Sequence, residues 1–181
     1  MLPVIPWLFL VLTLSTSHNA MAGSDNFIAG SVIKHYGKYA KVDQDLVLDK
    51  NSVFKVAFDI SAQSKVGEVN RKIETLARFI NMHVAHGIAP ENIKLALVVH
   101  GKAGFDLLKS SLYQEKFQQK NANNALLQDL IKNQVVVYLC GQSAAYYDIT
   151  NDMLAPGVNM ALSAMTAHAV LQSKGYSLNP F

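Results

Sequence analysis

Cys140 is the only cysteine in this chain of 181 residues, and it closes the apolar run Val135-Val136-Val137-Tyr138-Leu139. Two earlier apolar runs end on polar groups in a similar way. Val53–Ile60 carries Asp59 near its end, and Ile93–Val99 leads into His100-Gly101. A thiol, an imidazole and a carboxylate at three strand-like ends supply the parts for nucleophilic sulfur chemistry. The thiolate is the attacking species, and an imidazole close by can take its proton or stabilise its charge. Cys140 and His100 are therefore the candidate catalytic residues, with Asp59 in support. Gly101, Gly141, Gln142 and Ser143 follow the two reactive side chains. Amides in such a turn, unhindered by a β-carbon at the glycines, can approach an anion closely. Each residue also has a purely structural reading. A free cysteine is among the most buried residue types, a strand-end histidine can be satisfied by a carbonyl, and Asp59 can simply accept loop amides.

Other chemistry-bearing residues are read structurally. His83 and His86 stand three apart at the end of a helical pattern, without a third ligand in the sequence around them, and histidine there favours the helix dipole. His35 and His168 stand alone and are given no catalytic role. Gly101-Lys102-Ala103-Gly104 lacks the spacing of a phosphate-binding loop. The chain has neither a Gly-x-Ser-x-Gly elbow nor a Cys-x-x-Cys pair, which sets aside a serine hydrolase and a dithiol oxidoreductase. Met153, Met160 and Met165 are read as core or subunit interface. No metal site and no organic cofactor is expected.

These side chains need a scaffold that brings three strand ends to one rim. Val53–Ile60, Ile93–Gly101 and Val135–Cys140 read as strands. Ser64–Gly87 reads as a long helix, with Val69, Ile73, Leu76, Ile80 and Val84 at helical spacing and Gly87 as its stop. Further helices are expected at 109–117, 125–132, 143–149 and 164–173. Residues 158–162 fit either a short strand or the start of a long helix, and 176–178 a last edge strand. Strands alternating with helices predict a parallel sheet covered on both faces. Right-handed crossovers then place His100 and Cys140 on one edge if their strands are neighbours. In open α/β sheets that edge is where ligands bind.

The ends of the chain add a compartment. Trp7–Leu14 is apolar but too short to span a bilayer, and Ala20-Met21-Ala22 is a small-x-small cleavage site. Residues 1–22 are thus read as a signal peptide, 23–51 as an N-terminal arm with little regular structure, and 52–181 as one α/β domain. The apolar residues Val32, Ile33, Val42, Leu46, Val47 and Leu48 of the arm are expected to lie on that domain or on a neighbouring subunit. The expected location is the periplasm, with no membrane span in the mature chain. A formal charge of +3 without a basic block makes nucleic acid an unsuitable partner. One cysteine in an exported chain cannot form an internal disulfide, so the thiol is shielded, paired between chains, or free for chemistry.

Val98-Val99-His100-Gly101-x-Ala103, Leu139-Cys140-Gly141-Gln142-Ser143-Ala144 and the closing Gly175-Tyr176 resemble the DsrE/DsrF-like family, in its exported single-domain branch. The resemblance runs from about Ser52 to the C-terminus. It implies a three-layer α/β/α domain on a mainly parallel five-stranded sheet, assembled as homotrimers or hexamers. It also implies sulfur relay, with Cys140 carrying a persulfide between a donor and an acceptor protein and His100 as a helper. Two other functions fit the residues: a non-catalytic oligomeric module that binds a small ligand at the strand ends, and a cysteine hydrolase built on Cys140, His100 and Asp59.

Overall fold

A computed structural model describes residues 23–179; the signal peptide read at 1–22 lies outside them. The central sheet is built from β3 (Phe54–Ile60), β4 (Ile93–Val99), β5 (Val136–Cys140), β6 (Val158–Ala161) and β7 (Ser177–Asn179), after a short ribbon of β1 (Phe27–Ile28) and β2 (Tyr39–Ala40). Its strand order is β6-β5-β4-β3-β7, and every pairing is parallel. Residues 158–162 thus resolve to a strand, because Val158–Ala161 pairs with Val137–Cys140 along the edge of the sheet.

Side-chain alternation assigns the two faces of the sheet. Val56, Phe58 and Ile60 of β3, Ile93, Leu95, Leu97 and Val99 of β4, and Val137 and Leu139 of β5 join the larger core. Covering that face are α1 (Arg71–Ala85), α2 (Ser110–Phe117), α3 (Asn123–Lys132) and α4 (Gly141–Tyr146), which supply Ile73, Leu76, Tyr113, Leu126, Leu127 and Ala144 among others. The opposite face is Ala57, Ala96 and Val98, and among the described residues a single helix, α5 (Ala164–Ser173), packs Ala167 and Leu171 on it. Alanines across that face let the α5 backbone approach the sheet closely.

The sequence pattern overran α1 at its start. Helical spacing continues back to Ser64, yet the helix begins at Arg71, where the Asn70 side chain caps it by accepting from the Lys72 amide at 3.0 Å. Residues 64–70 are held out of the helix by the buried Asp106 carboxylate, which accepts from the Ser64 amide at 3.0 Å and from Asn70 Nδ2 at 2.8 Å. The polar step after Cys140 differs in the other direction: α4 begins at Gly141, two residues before the helix expected there.

The N-terminal arm is more ordered than its composition suggested. Asn81 of α1, fully buried, donates to the carbonyls of Ile33, Tyr36 and Gly37 and accepts from the Ile33 amide at 2.9 Å. Gly37 (φ 66°) passes so close to α1 that a β-carbon there would sit 2.2 Å from the Arg78 nitrogen. This clamp buries Ile33 in the larger core, whereas Val42, Leu46 and Val47 further along are exposed.

Candidate functional site

Asp59, His100 and Cys140 share the alternation parity of Ala57, Val98 and Tyr138, so all three project toward the α5 face at the carboxyl edge of the sheet. β4 lies between β3 and β5, and the His100 amide donates to the Ile60 carbonyl at 2.9 Å. A cavity of about 310 Å³ opens there, lined by Asp59, His100, Cys140, Gln142, Ser143, Ser163, Ala164, Met165 and His168. His100 and Cys140 are therefore brought together, with Asp59, Gln142 and Ser143 beside them.

Cys140 is buried, with 6% of its surface exposed. Burial pushes its thiol up. Hydrogen bonds to the sulfur from the Ser143 amide and hydroxyl and from the amides of Ala164 and Gln142 outweigh burial, so the thiol lies below its ordinary value. The amides come from the first turns of α4 and α5, where peptide N–H groups have no intrahelical partner. The Ser143 hydroxyl is held in turn: its oxygen accepts from the Gly101 amide at 2.9 Å, which leaves its hydrogen for the sulfur.

The two glycines act differently from the expectation that their amides face an anion directly. Gly101 (φ 55°) aims its amide at Ser143 and reaches the sulfur only through that hydroxyl. Gly141 is needed for space, since a β-carbon there would lie 2.6 Å from the Ala161 carbonyl oxygen. The donors at the sulfur are the next two residues and Ala164.

Asp59 does more than accept loop amides. Its Oδ2 lies 3.0 Å from His100 Nε2 and its Oδ1 2.7 Å from His168 Nε2. Burial pushes this carboxyl up, but the hydrogen bonds and positive charge of the two imidazoles prevail and hold it below its ordinary value. An ionised carboxylate only accepts hydrogen bonds, so both Nε2 atoms carry hydrogen. Each ring then presents Nδ1, for which no protein partner is found among the described residues. Neither imidazole hydrogen-bonds Cys140, whose thiolate is stabilised by amides and a hydroxyl instead.

His168 corrects the sequence reading that set it aside as isolated. It stands 109 positions from Asp59 and reaches the site only because α5 folds back across the sheet. A local signal did exist: Ala164, Ala167, His168 and Leu171 form the sheet-facing stripe of α5 at helical spacing, and a histidine among those small and apolar residues marks contact with a polar strand end. The other two histidines of note are structural. His83 Nδ1 bonds the Phe79 carbonyl at 2.8 Å and its ring stacks on Phe79, while His86 Nδ1 bonds the Met82 carbonyl at 2.7 Å. Among the described residues no group of three or more His, Cys, Asp and Glu side chains is placed to hold a metal ion.

A parallel three-layer α/β/α domain with one buried cysteine at the carboxyl edge of its sheet defines the class. The chain matches the DsrE/DsrF-like family over residues 55–180 and belongs to it. Residues 23–54, including the clamped arm, precede the match. The fold is shared with a protein of unknown function from Methanobacterium thermoautotrophicum, MTH1491, at TM-score 0.53 and 15% identity, over 70% of this chain and 97% of that one. It is shared with the ychN protein from E. coli at TM-score 0.51 and 16% identity, over 70% of this chain and all of that one. No curated protein matches the chain in sequence. No helix of the described residues is long and apolar enough to cross a membrane.

Proposed function

We propose that this protein is a periplasmic sulfur carrier that holds a persulfide on Cys140. The observation that carries the proposal is the placement of Cys140 in a cavity shared with Asp59, His100 and His168, beside amides and a hydroxyl that hold its thiol below its ordinary value. Such a site favours an anionic sulfur both before and after loading. In the loading step, Cys140 thiolate attacks the outer sulfur of a sulfane-sulfur donor. The donor's sulfur–sulfur bond breaks and its thiolate leaves with the electron pair. Attack on the new persulfide by an acceptor thiolate reverses this and regenerates Cys140. The hydrolase alternative requires an imidazole in hydrogen-bond contact with the nucleophile, and neither His100 nor His168 is hydrogen-bonded to Cys140, both rings turning Nε2 to Asp59.

The test is mass spectrometry of purified protein after exposure to glutathione persulfide. Wild type is expected to gain one sulfur at Cys140, and Cys140→Ser none. If a small alkylating reagent labels Cys140 but no persulfide donor ever adds sulfur there, the carrier reading is wrong and the binding-module reading stands.

Location and assembly belong to the same proposal. The apolar stretch 7–14 and Ala20-Met21-Ala22 support export. Leu162 and Met165, each more than 70% exposed, and half-exposed Val170 surround the one helix covering its face of the sheet, which supports a homo-oligomer packed there. Protein recovered from the periplasmic fraction is expected to begin at Gly23 and to elute as a trimer or hexamer by light scattering. Met165→Asp combined with Val170→Asp is expected to shift it toward monomer. An intact leader, or a wild-type monomer at micromolar concentration, would count against these parts.

A further inference from the structure

We propose that His168 is the proton donor of the sulfur-transfer step, with Asp59 and His100 holding it in place; the inference rests on the carrier reading above. Cys140 needs no imidazole, because amides and the Ser143 hydroxyl already stabilise its thiolate. The two histidines in the same cavity are therefore available to the other sulfur of the reaction, the leaving group of the donor. That sulfur departs as a thiolate in a pocket that already contains the Asp59 carboxylate. A proton delivered to it at the moment of cleavage removes the accumulating negative charge.

The geometry selects His168. The carboxylate fixes hydrogen on its Nε2 at 2.7 Å, so Nδ1 is the nitrogen that exchanges a proton. Ala164, whose amide bonds the Cys140 sulfur, lies one helical turn before His168 on the same face of α5. One rigid helix thus sets the position of the imidazole relative to the nucleophile. His100 sits instead on an extended residue between β4 and the turn at Gly101, and its bond to Asp59 is the longer, at 3.0 Å. The titratable groups facing His168 are Asp59 from β3, His100 from the end of β4, Cys140 from β5 and, in the adjoining cavity beside β7, Tyr176.

The step balances as follows. Cys140 thiolate and a donor persulfide RS–SH, with His168 protonated on Nδ1, give Cys140 persulfide, RSH and neutral His168. The sulfur–sulfur bond of the donor breaks, a new one forms to Cys140, the electron pair goes to the departing sulfur, and the proton follows it. Unloading runs in reverse: neutral His168 takes the proton of an acceptor thiol, whose thiolate removes the outer sulfur. Unloading thus returns to His168 the proton that loading removes.

The experiment compares two rates on full-length mature protein: loading by glutathione persulfide and alkylation of Cys140 by iodoacetamide, each across pH. Alkylation releases iodide, which needs no proton, so it reports the thiolate alone. His168→Gln is expected to slow loading about a hundredfold while leaving alkylation within a factor of about two. In His168→Ala, added imidazole should restore part of the loading rate. Equal loading by His168→Gln and wild type would overturn the role, as would a parallel loss of loading and alkylation, which marks a structural residue. If wild type itself never loads, the carrier reading fails and this role fails with it; if wild type loads and His168→Gln loads as fast, only the proton donor is wrong.

Discussion

Replacing Asp106 by alanine is expected to destabilise the fold by about 3 kcal/mol and to lower its melting temperature by roughly 6–12 °C. The residue is fully buried in the turn after His100, and its carboxylate accepts from the Ser64 amide, the Ser64 hydroxyl and Asn70 Nδ2. Its backbone carbonyl accepts from Asn121, and the Asn70 amide donates to Asn123. The Asp106 side chain thus ties residues 64–70 to the turn at 101–107, and Asn121 and Asn123 join a third loop to them through backbone groups. Alanine would leave the Ser64 amide, the Ser64 hydroxyl and Asn70 Nδ2 without this acceptor. Burial also pushes this carboxyl above its ordinary value, against the hydrogen bonds that lower it. The folded state then keeps the proton to higher pH than the unfolded chain does. The contribution of Asp106 is therefore fullest below the ordinary aspartate value of about 3.9 and diminishes as pH rises through the raised one. Asp106→Asn should remove that dependence at a smaller loss of stability. Urea unfolding of the three proteins between pH 3 and 7 checks both claims, and an alanine variant melting within about 2 °C of wild type would refute the first.

The fold was legible in the sequence because its strands are short, apolar and bounded by clear stops. The order of alternation placed β3, β4 and β5, and the polar residues at their ends marked the edge where the site lies. That His100 and Cys140 line one cavity followed from neighbouring parallel strands. The boundary of α1 was not legible, because Ser64–Asn70 has helical spacing and only the distant Asp106 explains why it leaves the helix. The order in the arm was hidden in the same way. A single asparagine on α1, buried where its periodicity would allow a core leucine, fixes backbone more than forty residues earlier.

His168 shows why the site was half legible. Asp59, His100 and Cys140 each end an apolar run, and such endings can be seen in one dimension. The fourth member lies in the middle of a helix whose crossover to β7 returns it over the sheet. Its role depends on which face of the sheet α5 covers, and that follows from the reversal of strand order at β3 rather than from any local pattern. Parity would have sharpened the reading, since Asp59, His100 and Cys140 all fall on the face opposite the larger core. A helix covering that face had to contribute whatever completed the site.

Substituting Ser143 by alanine is expected to slow alkylation of Cys140 at neutral pH roughly tenfold while leaving the fold intact. Among the described residues the hydroxyl is the only side-chain donor acting on the sulfur; the others are amides fixed by the first turns of α4 and α5. Those amides persist in the variant, so the thiol should remain below its ordinary value but by less. The loss extends one step further, because the Gly101 amide at 2.9 Å loses its acceptor. Gly101 directs that amide from φ 55°, a conformation open to glycine without strain. Ser143→Thr keeps the hydroxyl and should retain most of the alkylation rate. The measurement is the alkylation rate as a function of pH. In Ser143→Ala the whole curve should move to higher pH, with the plateau at high pH unchanged, because only the thiolate fraction has been altered. A lower plateau with an unmoved midpoint would instead mean that the substitution closed the cavity, and the hydroxyl would then have no part in stabilising the thiolate.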